Sequence, residues 1–445
     1  MQNTESVSTH HVQEQALALD STNIRFKKNI LPWIMFTIAA TFYCYAYFLR
    51  VAPSMMMKEL TAHFQITATQ FGHLSAFYYY AYTPLQLPIG VIIDRFGARM
   101  VLAIAALLAV SGISIFVSTD SFQLACLGRF MMGFGSAFGY ITVLKVATYW
   151  LPANRFATAA GLTTAFGMIA AIFTDNYLAK VVQSVGFKQS LFFSIIAGLV
   201  LGGVILSLLR SKPKPEYAHH ENPEQKTTFS ELFSGMGRML MNSQTWLIGI
   251  VGCLLYLPAS VFLDLWGIPY LETVYHLKPV EAAHVISMVF IGWIIGGPMI
   301  GAISDAIQLR RLPLLLSSIV AAILMAIVFY VPNVPVFWVY VSMLFLGITC
   351  GSHPLVFSLS RENNSRKISG TATATTNFLI MSGGLVFQPV VGMLLDSHWQ
   401  GATVDGLRQY TVGDYNYALA IVPVGLILSV LLTFFIKETR CKMPD

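Results

Sequence analysis

The sequence predicts an all-α membrane protein: twelve transmembrane helices in two pseudo-symmetric six-helix bundles. Three observations carry that prediction. About a dozen apolar stretches fill the chain, each long enough to cross roughly 30 Å of hydrocarbon at about 1.5 Å per residue. Only 11% of the 445 residues are charged and 56% are hydrophobic, with a mean hydropathy of +0.65; a soluble domain carries about 25% charged residues. One long hydrophilic interval divides the apolar stretches six and six, and a loop motif recurs in both halves.

In chain order the predicted spans begin with residues 30–60, which carry Arg50 near their centre, and 71–93, which end in a Gly- and Arg-containing loop. Residues 100–117 follow, then 122–150, which hold Gly133, Gly135 and Lys145. The fifth and sixth are 157–182, with Asp175, and 191–209. After the hydrophilic interval come 245–270, with Asp264, then 282–304, 312–331 and 336–360. The last two are 368–395 and 415–435. The expected organisation is a cytoplasmic tail at 1–28, a first bundle at 29–210, a linker at 211–242, a second bundle at 243–436 and a tail at 437–445. The first 28 residues are polar and lack the apolar core of a signal peptide.

Loop charge sets the expected orientation. With the N-terminus inside, roughly nineteen Lys and Arg residues fall on the cytoplasmic side, among them Arg95, Arg99, Arg155, Arg310, Arg311 and Arg366, against about four outside. Both termini are then cytoplasmic. The net charge of +6 lies in these short loops, so it reads as a topology signal and not as a nucleic-acid surface. Cys44, Cys126, Cys253, Cys350 and Cys441 have no metal-ligand spacing and suggest no disulfide framework. His219 and His220 lie in the linker and read as solvated. No cofactor, metal or enzyme motif is expected. There is no Walker motif and no nucleophile elbow, so any work must be drawn from a gradient.

A charge at mid-membrane depth costs roughly 3 kcal/mol or more and marks a cavity or a polar partner. Arg50 therefore points to a cavity, and its fixed positive charge points to an anion. Tyr43, Tyr47, Arg50 and Ser54 fall on one helical face. Tyr78, Tyr82 and Gln86 form a similar stripe on the second span, for which packing is the competing explanation. Lys145 shares a face with Thr142 and Tyr149; it either joins Arg50 in a two-point cationic clamp or snorkels to the surface. Asn377 and Gln388 stripe the eleventh span, where Gln388-Pro389 suggests a kink. Asp175 and Asp264 are the intramembrane carboxylates, candidates for proton coupling. An ion pair with Lys180 is the structural alternative for Asp175, and an outer-gate hydrogen bond for Asp264. His284 and His353 read as packed bundle histidines, and Arg129 as a residue that satisfies carbonyls or an acid.

The loop Gly90-x-x-x-Asp94-Arg95-x-Gly97-x-Arg99 resembles the signature of the major facilitator superfamily, and Arg129-x-x-x-Gly133-x-Gly135 is similar to its fourth-helix pattern. The second copy, Gly301-x-x-x-Asp305, has Ala306 where the first has Arg95. The resemblance implies two bundles around a site that opens alternately to each side, with Gly90, Asp94, Arg95, Gly97, Arg99, Asp305 and Arg129 in or near the gate. Tyr47-Phe-Leu-Arg50 followed by Pro53 resembles the first helix of organophosphate and organic-anion carriers, which implies that Arg50 binds the cargo. Leu265-Trp-Gly-Ile-Pro-Tyr270 is similar to bacterial carriers grouped with lysosomal dipeptide transporters. The implied function is a secondary active transporter, acting as a monomer in the bacterial inner membrane. It would move a small hydrophilic anionic or zwitterionic metabolite together with a proton or a counter-anion. The alternatives are an exporter of a carboxylate metabolite or siderophore, and a non-transporting membrane receptor.

Overall fold

The computed structural model describes residues 30–152, 155–212, 241–364, 369–404 and 406–442. The tail at 1–28, His219, His220, Arg366 and Lys367 lie outside the described residues. Among the described residues, eleven helical segments are long and apolar enough to span a membrane. The twelfth is span two, built from Ala68–Leu85 and Ile89–Phe96 around residues 86–88. Pro84 and Pro88 remove backbone donors there and interrupt the helix. With this pair the chain has the twelve expected spans in two bundles.

The spans are Leu31–Phe64 (one), the pair just given (two), Ala98–Ser118 (three), Phe122–Trp150 (four), Phe156–Val185 (five) and Phe187–Leu208 (six). The second set is Ser243–Val274 (seven), Pro279–Ile307 (eight), Arg311–Tyr330 (nine), Val336–Glu362 (ten), Ser369–His398 (eleven) and Val412–Thr433 (twelve). Between spans eleven and twelve a small antiparallel ribbon pairs Thr403 with Arg408 and Val404 with Leu407. The face that carries Ile30 and Lys442 is called the terminal face; the opposite one, with Gln65 and Gly401, is the distal face.

Across the two halves, span one packs on seven, two on eleven and five on eight. The last two pairs exchange when each span is mapped onto the one six further along, so the molecule has a pseudo-twofold axis between its bundles. The glycines singled out in the sequence follow it. A Cβ on Gly133 of span four would strike the carbonyl of Tyr78 in span two, and one on Gly347 of span ten would strike that of Val289 in span eight. Small residues at such crossings let helices approach closely. Large apolar side chains such as Leu107, Phe173, Phe193, Val200, Phe345 and Phe435 are exposed around the rim, as a lipid-facing surface requires.

Four spans, one, four, seven and ten, are irregular at mid-length. Span one passes through a 3₁₀ segment at Ala52–Met56, which contains Pro53. Its counterpart, span seven, passes through a π-helix at Pro258–Trp266. Span four breaks at residues 137–138 and span ten at 351–353, before Pro354. Non-helical backbone at membrane depth is tolerated where it lines a cavity, and a cavity lies between these spans.

Candidate functional site

The cavity has a volume of about 480 Å³ and is walled by both bundles. Its lining runs from Arg50 toward the terminal face, along Ala160 and Gly161 of span five, Gly297 and Pro298 of span eight and Phe357 of span ten. Span one supplies Tyr43, span two Tyr82, span four Tyr140 and span seven Tyr256. Trp293, His353, Asn377 and Met381 complete the opposite wall.

Arg50 stands at the closed end, only 6% exposed. Its Nε donates to Asp264 Oδ2 at 2.8 Å and to the Tyr79 hydroxyl at 2.9 Å. Its Nη2 donates to the Tyr256 hydroxyl at 2.8 Å. Tyr79 also donates to Asp264 Oδ2. The guanidinium carbon lies 5.3 Å from the ring centres of Tyr47 and Tyr79 and 5.8 Å from that of Tyr256, within cation–π range. Arg50 and Asp264 thus form a buried ion pair between spans one and seven. Asp264 Oδ1 has no hydrogen-bond partner among the described residues. A buried pair of this kind offsets its own desolvation only when well bonded, and losing one partner strands the other.

On the distal side of this pair, beside a second cavity of about 630 Å³ lined by Ser54, Lys58, Glu272 and Tyr410, several contacts bridge the two bundles. Asp396, at the end of span eleven, accepts from the backbone N–H of Thr69 at 2.9 Å and from its hydroxyl at 2.5 Å, at the start of span two. Tyr410 donates to Asp396 at 2.5 Å and accepts from the Ala68 N–H at 3.1 Å, and Arg408 donates to Asp396 at 2.9 Å. Lys58 pairs with Glu272, and Asn176 donates to Ser287 at 2.9 Å. Each of the last two contacts joins the first bundle to the second.

Several candidate residues sit elsewhere than the sequence suggests. Lys145 does not join Arg50. Its ammonium lies 2.5 Å from Asp94, and Tyr149 donates to the same carboxylate oxygen at 3.2 Å. Lys145 is far enough along span four for its long stem to reach the last helical turns of span two near the terminal face. The described partners of Asp94 belong to its own bundle, not to the start of span eleven or to nearby arginines. Tyr78 is packed away from the cavity, donating to the Ala46 carbonyl at 3.2 Å and stacking on Tyr82 with centres 5.7 Å apart. Gln86 is buried and accepts from Asn377 at 2.9 Å, which ties span two to span eleven. Gln388 is also outside the cavity. It donates to the Ser260 carbonyl at 2.7 Å, and its own carbonyl accepts from Trp266 Nε1 at 3.2 Å. Span eleven runs on through Pro389.

Asp175 is fully buried, and neither oxygen has a partner among the described residues. It makes no ion pair with Lys180. Arg129 Nη1 donates to the Leu49 carbonyl at 2.6 Å, its guanidinium lies 5.1 Å over the ring of Tyr78, and its Nε and Nη2 have no hydrogen-bond partner among the described residues. In the span two–three loop, Gly97 adopts φ +76, a backbone that glycine takes at little cost. Arg99 Nη2 donates to the Leu206 carbonyl and Arg95 rests on Phe96. In the second copy Asp305 accepts from Arg310 at 2.6 Å, and Arg310 also bonds Glu362 of span ten at 3.1 Å. Glu438 accepts from the backbone N–H groups of Arg310 and Arg311 at 2.9 and 2.8 Å. Burial pushes its carboxyl up, but these donors outweigh that and hold it below the usual carboxylate range.

Sequence reasoning missed Tyr79, Tyr140 and Trp293, and read His353 only as a packed histidine. Tyr79 sits one residue off the chosen stripe, in a Tyr78-Tyr79-Tyr80 run that gave no way to choose among the three. Tyr140 and Trp293 carried no polar stripe around them.

A helical membrane protein of two six-helix bundles around a central cavity has the architecture of a transporter. The sequence profile of the Major Facilitator Superfamily matches residues 34–388, and the chain belongs to that family. It is 22% identical over 455 residues to the "Probable galactarate/D-glucarate transporter GudP" of Escherichia coli, covering 94% of this chain and 95% of that protein. It is 24% identical over 174 residues to the "Probable sulfoacetate transporter SauU" of Cupriavidus necator, a match that spans 40% of that protein. It is 22% identical to the "Membrane sensor protein UhpC" of Salmonella typhimurium, covering 81% of this chain and 84% of that one. Among solved structures, a mutant of the nucleoside transporter NupG superposes with a TM-score of 0.71 at 13% identity over 91% of this chain and 99% of that one. A bacterial homologue of the human lysosomal transporter Spinster superposes with a TM-score of 0.70 at 12% identity over 90% and 96%. At these identities the two structures speak for the fold alone.

Proposed function

We propose that this protein is a secondary active transporter of a small organic anion, driven by protons. It would work as a monomer in the bacterial inner membrane with both termini cytoplasmic, so that the terminal face is the cytoplasmic one. The observation that carries this reading is the Arg50–Asp264 pair at the closed end of the cavity. An anion entering from the terminal face competes with Asp264 for the guanidinium, whose planar fork suits carboxylate and phosphate groups. A buried carboxylate that loses its cation is costly as an ion and takes up a proton instead. Binding of the anion and of the proton are then linked, and because the pair joins the two bundles, both feed into their relative motion. The sulfoacetate and galactarate/D-glucarate named for two relatives are organic anions, which supports the cargo class. The deciding experiment is uptake of labelled organic anions into proteoliposomes under an imposed pH gradient. A protein that binds an anion but never moves one would be a receptor instead.

The gate belongs to the same reading. Asp94 is the carboxylate that holds Lys145, whereas Arg310 keeps Glu362 if Asp305 is neutralised. Asp94→Asn is therefore expected to perturb the terminal-face gate more than Asp305→Asn. Cysteine pairs placed on the two terminal rims should cross-link at least about twofold less in Asp94→Asn. An equal or larger loss in Asp305→Asn would refute the asymmetry.

A further inference from the structure

Among the described residues, the cavity wall carries one charged side chain, Arg50. Lys145 is bound to Asp94, and neither Lys145 nor Arg129 lines the cavity, so neither supplies a second positive point on this wall. The rest of the wall is dominated by rings. On the first bundle, Tyr43 and Tyr140 pack with centres 5.5 Å apart. On the second, Tyr256 lies 5.9 Å from Trp293 and 4.8 Å from His353, and Phe357 lies 5.5 Å from His353. Two aromatic surfaces, one from each bundle, thus flank the space in front of a single guanidinium.

From this arrangement, and resting on the anion-carrier reading above, we propose that the cargo is a small aromatic monocarboxylate. Its carboxylate would replace that of Asp264 on Arg50, and its ring would lie between the tyrosine pair and the Trp293–His353 group. A dicarboxylate needs a second cation, and the described wall offers none. A sugar acid needs partners for each hydroxyl, since a hydroxyl buried without them is strongly disfavoured. Apart from Arg50, the Trp293 N–H and the tyrosine hydroxyls, Thr164, His353 and Asn377 are the polar side chains of the wall, and Asn377 already donates to Gln86. An aromatic ring asks for little beyond stacking and edge contacts, which this wall provides. The cavity of 480 Å³ falls within the range of sites for small organic ligands, about 300–1,000 Å³.

The test is binding and counterflow with the purified protein in lipid, comparing phenylacetate, indole-3-acetate, cyclohexylacetate, glucuronate, galactarate and glucose 6-phosphate. Phenylacetate or indole-3-acetate should bind at least about tenfold tighter than galactarate, glucuronate or glucose 6-phosphate, and tighter than cyclohexylacetate. Trp293→Leu should weaken the aromatic acid about tenfold while the folded protein keeps its melting temperature in detergent. A sugar acid, a diacid or a sugar phosphate that binds tightest overturns the aromatic assignment and leaves Arg50 as an anion site. Equal binding of cyclohexylacetate, or no effect of Trp293→Leu, also overturns it. Binding of no acid, or binding unchanged in Arg50→Lys, removes the anion-carrier reading and this inference with it.

Discussion

Arg50→Ala should abolish anion transport, lowering the rate at least about 100-fold, the loss expected when one partner of a buried, hydrogen-bonded charge pair is truncated. Arg50→Lys should fail nearly as badly. Lysine keeps the charge but cannot bond Asp264, Tyr79 and Tyr256 through a planar fork, nor present two parallel donors to a carboxylate. Arg50→Ala also strands Asp264 in a dry site, at a cost of about 3–5 kcal/mol, so some of its effect could be loss of fold. The double variant Arg50→Ala/Asp264→Asn separates the two. It should recover the melting temperature without recovering transport. Transport at the normal rate by either Arg50 variant would remove Arg50 from the binding site.

Asp264→Asn should abolish uphill accumulation and spare counterflow. Asparagine can still accept from Arg50, but it neither titrates nor competes as an ion for the guanidinium. The anion should therefore bind several-fold more tightly, while a pH gradient no longer concentrates it. Asp175→Asn is the matched control. Asp175 is equally buried, yet it touches neither Arg50 nor the cavity wall, and its substitution should leave accumulation intact. The roles are reversed if Asp175→Asn loses accumulation and Asp264→Asn keeps it. Proton coupling itself fails if uphill uptake survives a protonophore.

The fold was legible because hydrocarbon thickness imposes a minimum length on every span and short polar loops separate one apolar stretch from the next. Among the described residues only span two falls below a simple test of length and hydropathy, since His73, the Tyr78-Tyr79-Tyr80 run, Tyr82 and Gln86 dilute its apolar residues. Of the site, helical periodicity found what lies on one helix: Tyr43 and Tyr47 with Arg50. It could not find what lies across a gap. That Asp264 of span seven meets Arg50 of span one follows from how two bundles dock, which no single-helix pattern encodes. The same blindness misplaced Lys145. Its position on span four was consistent with the cavity or with the surface, and its partner, Asp94, comes from the end of another helix, span two, 51 residues earlier. Tyr78 and Gln388 were polar stripes put to packing use, bonded to carbonyls of their neighbours.

The Arg50–Asp264 pair has an electrical consequence. An empty site holds one positive and one negative charge and carries no net charge through the bilayer. A site loaded with a monoanion on Arg50 and a proton on Asp264 carries none either. Neither crossing does work against the membrane voltage, which would otherwise amount to about 2.3 kcal/mol per charge for each 100 mV. Such a carrier ignores the potential and reads only acidity, concentrating its cargo about tenfold per pH unit, the ratio that 1.36 kcal/mol supports. A potassium diffusion potential imposed at equal pH should then drive no uptake at all; if it does, the charges do not cancel as this pair requires.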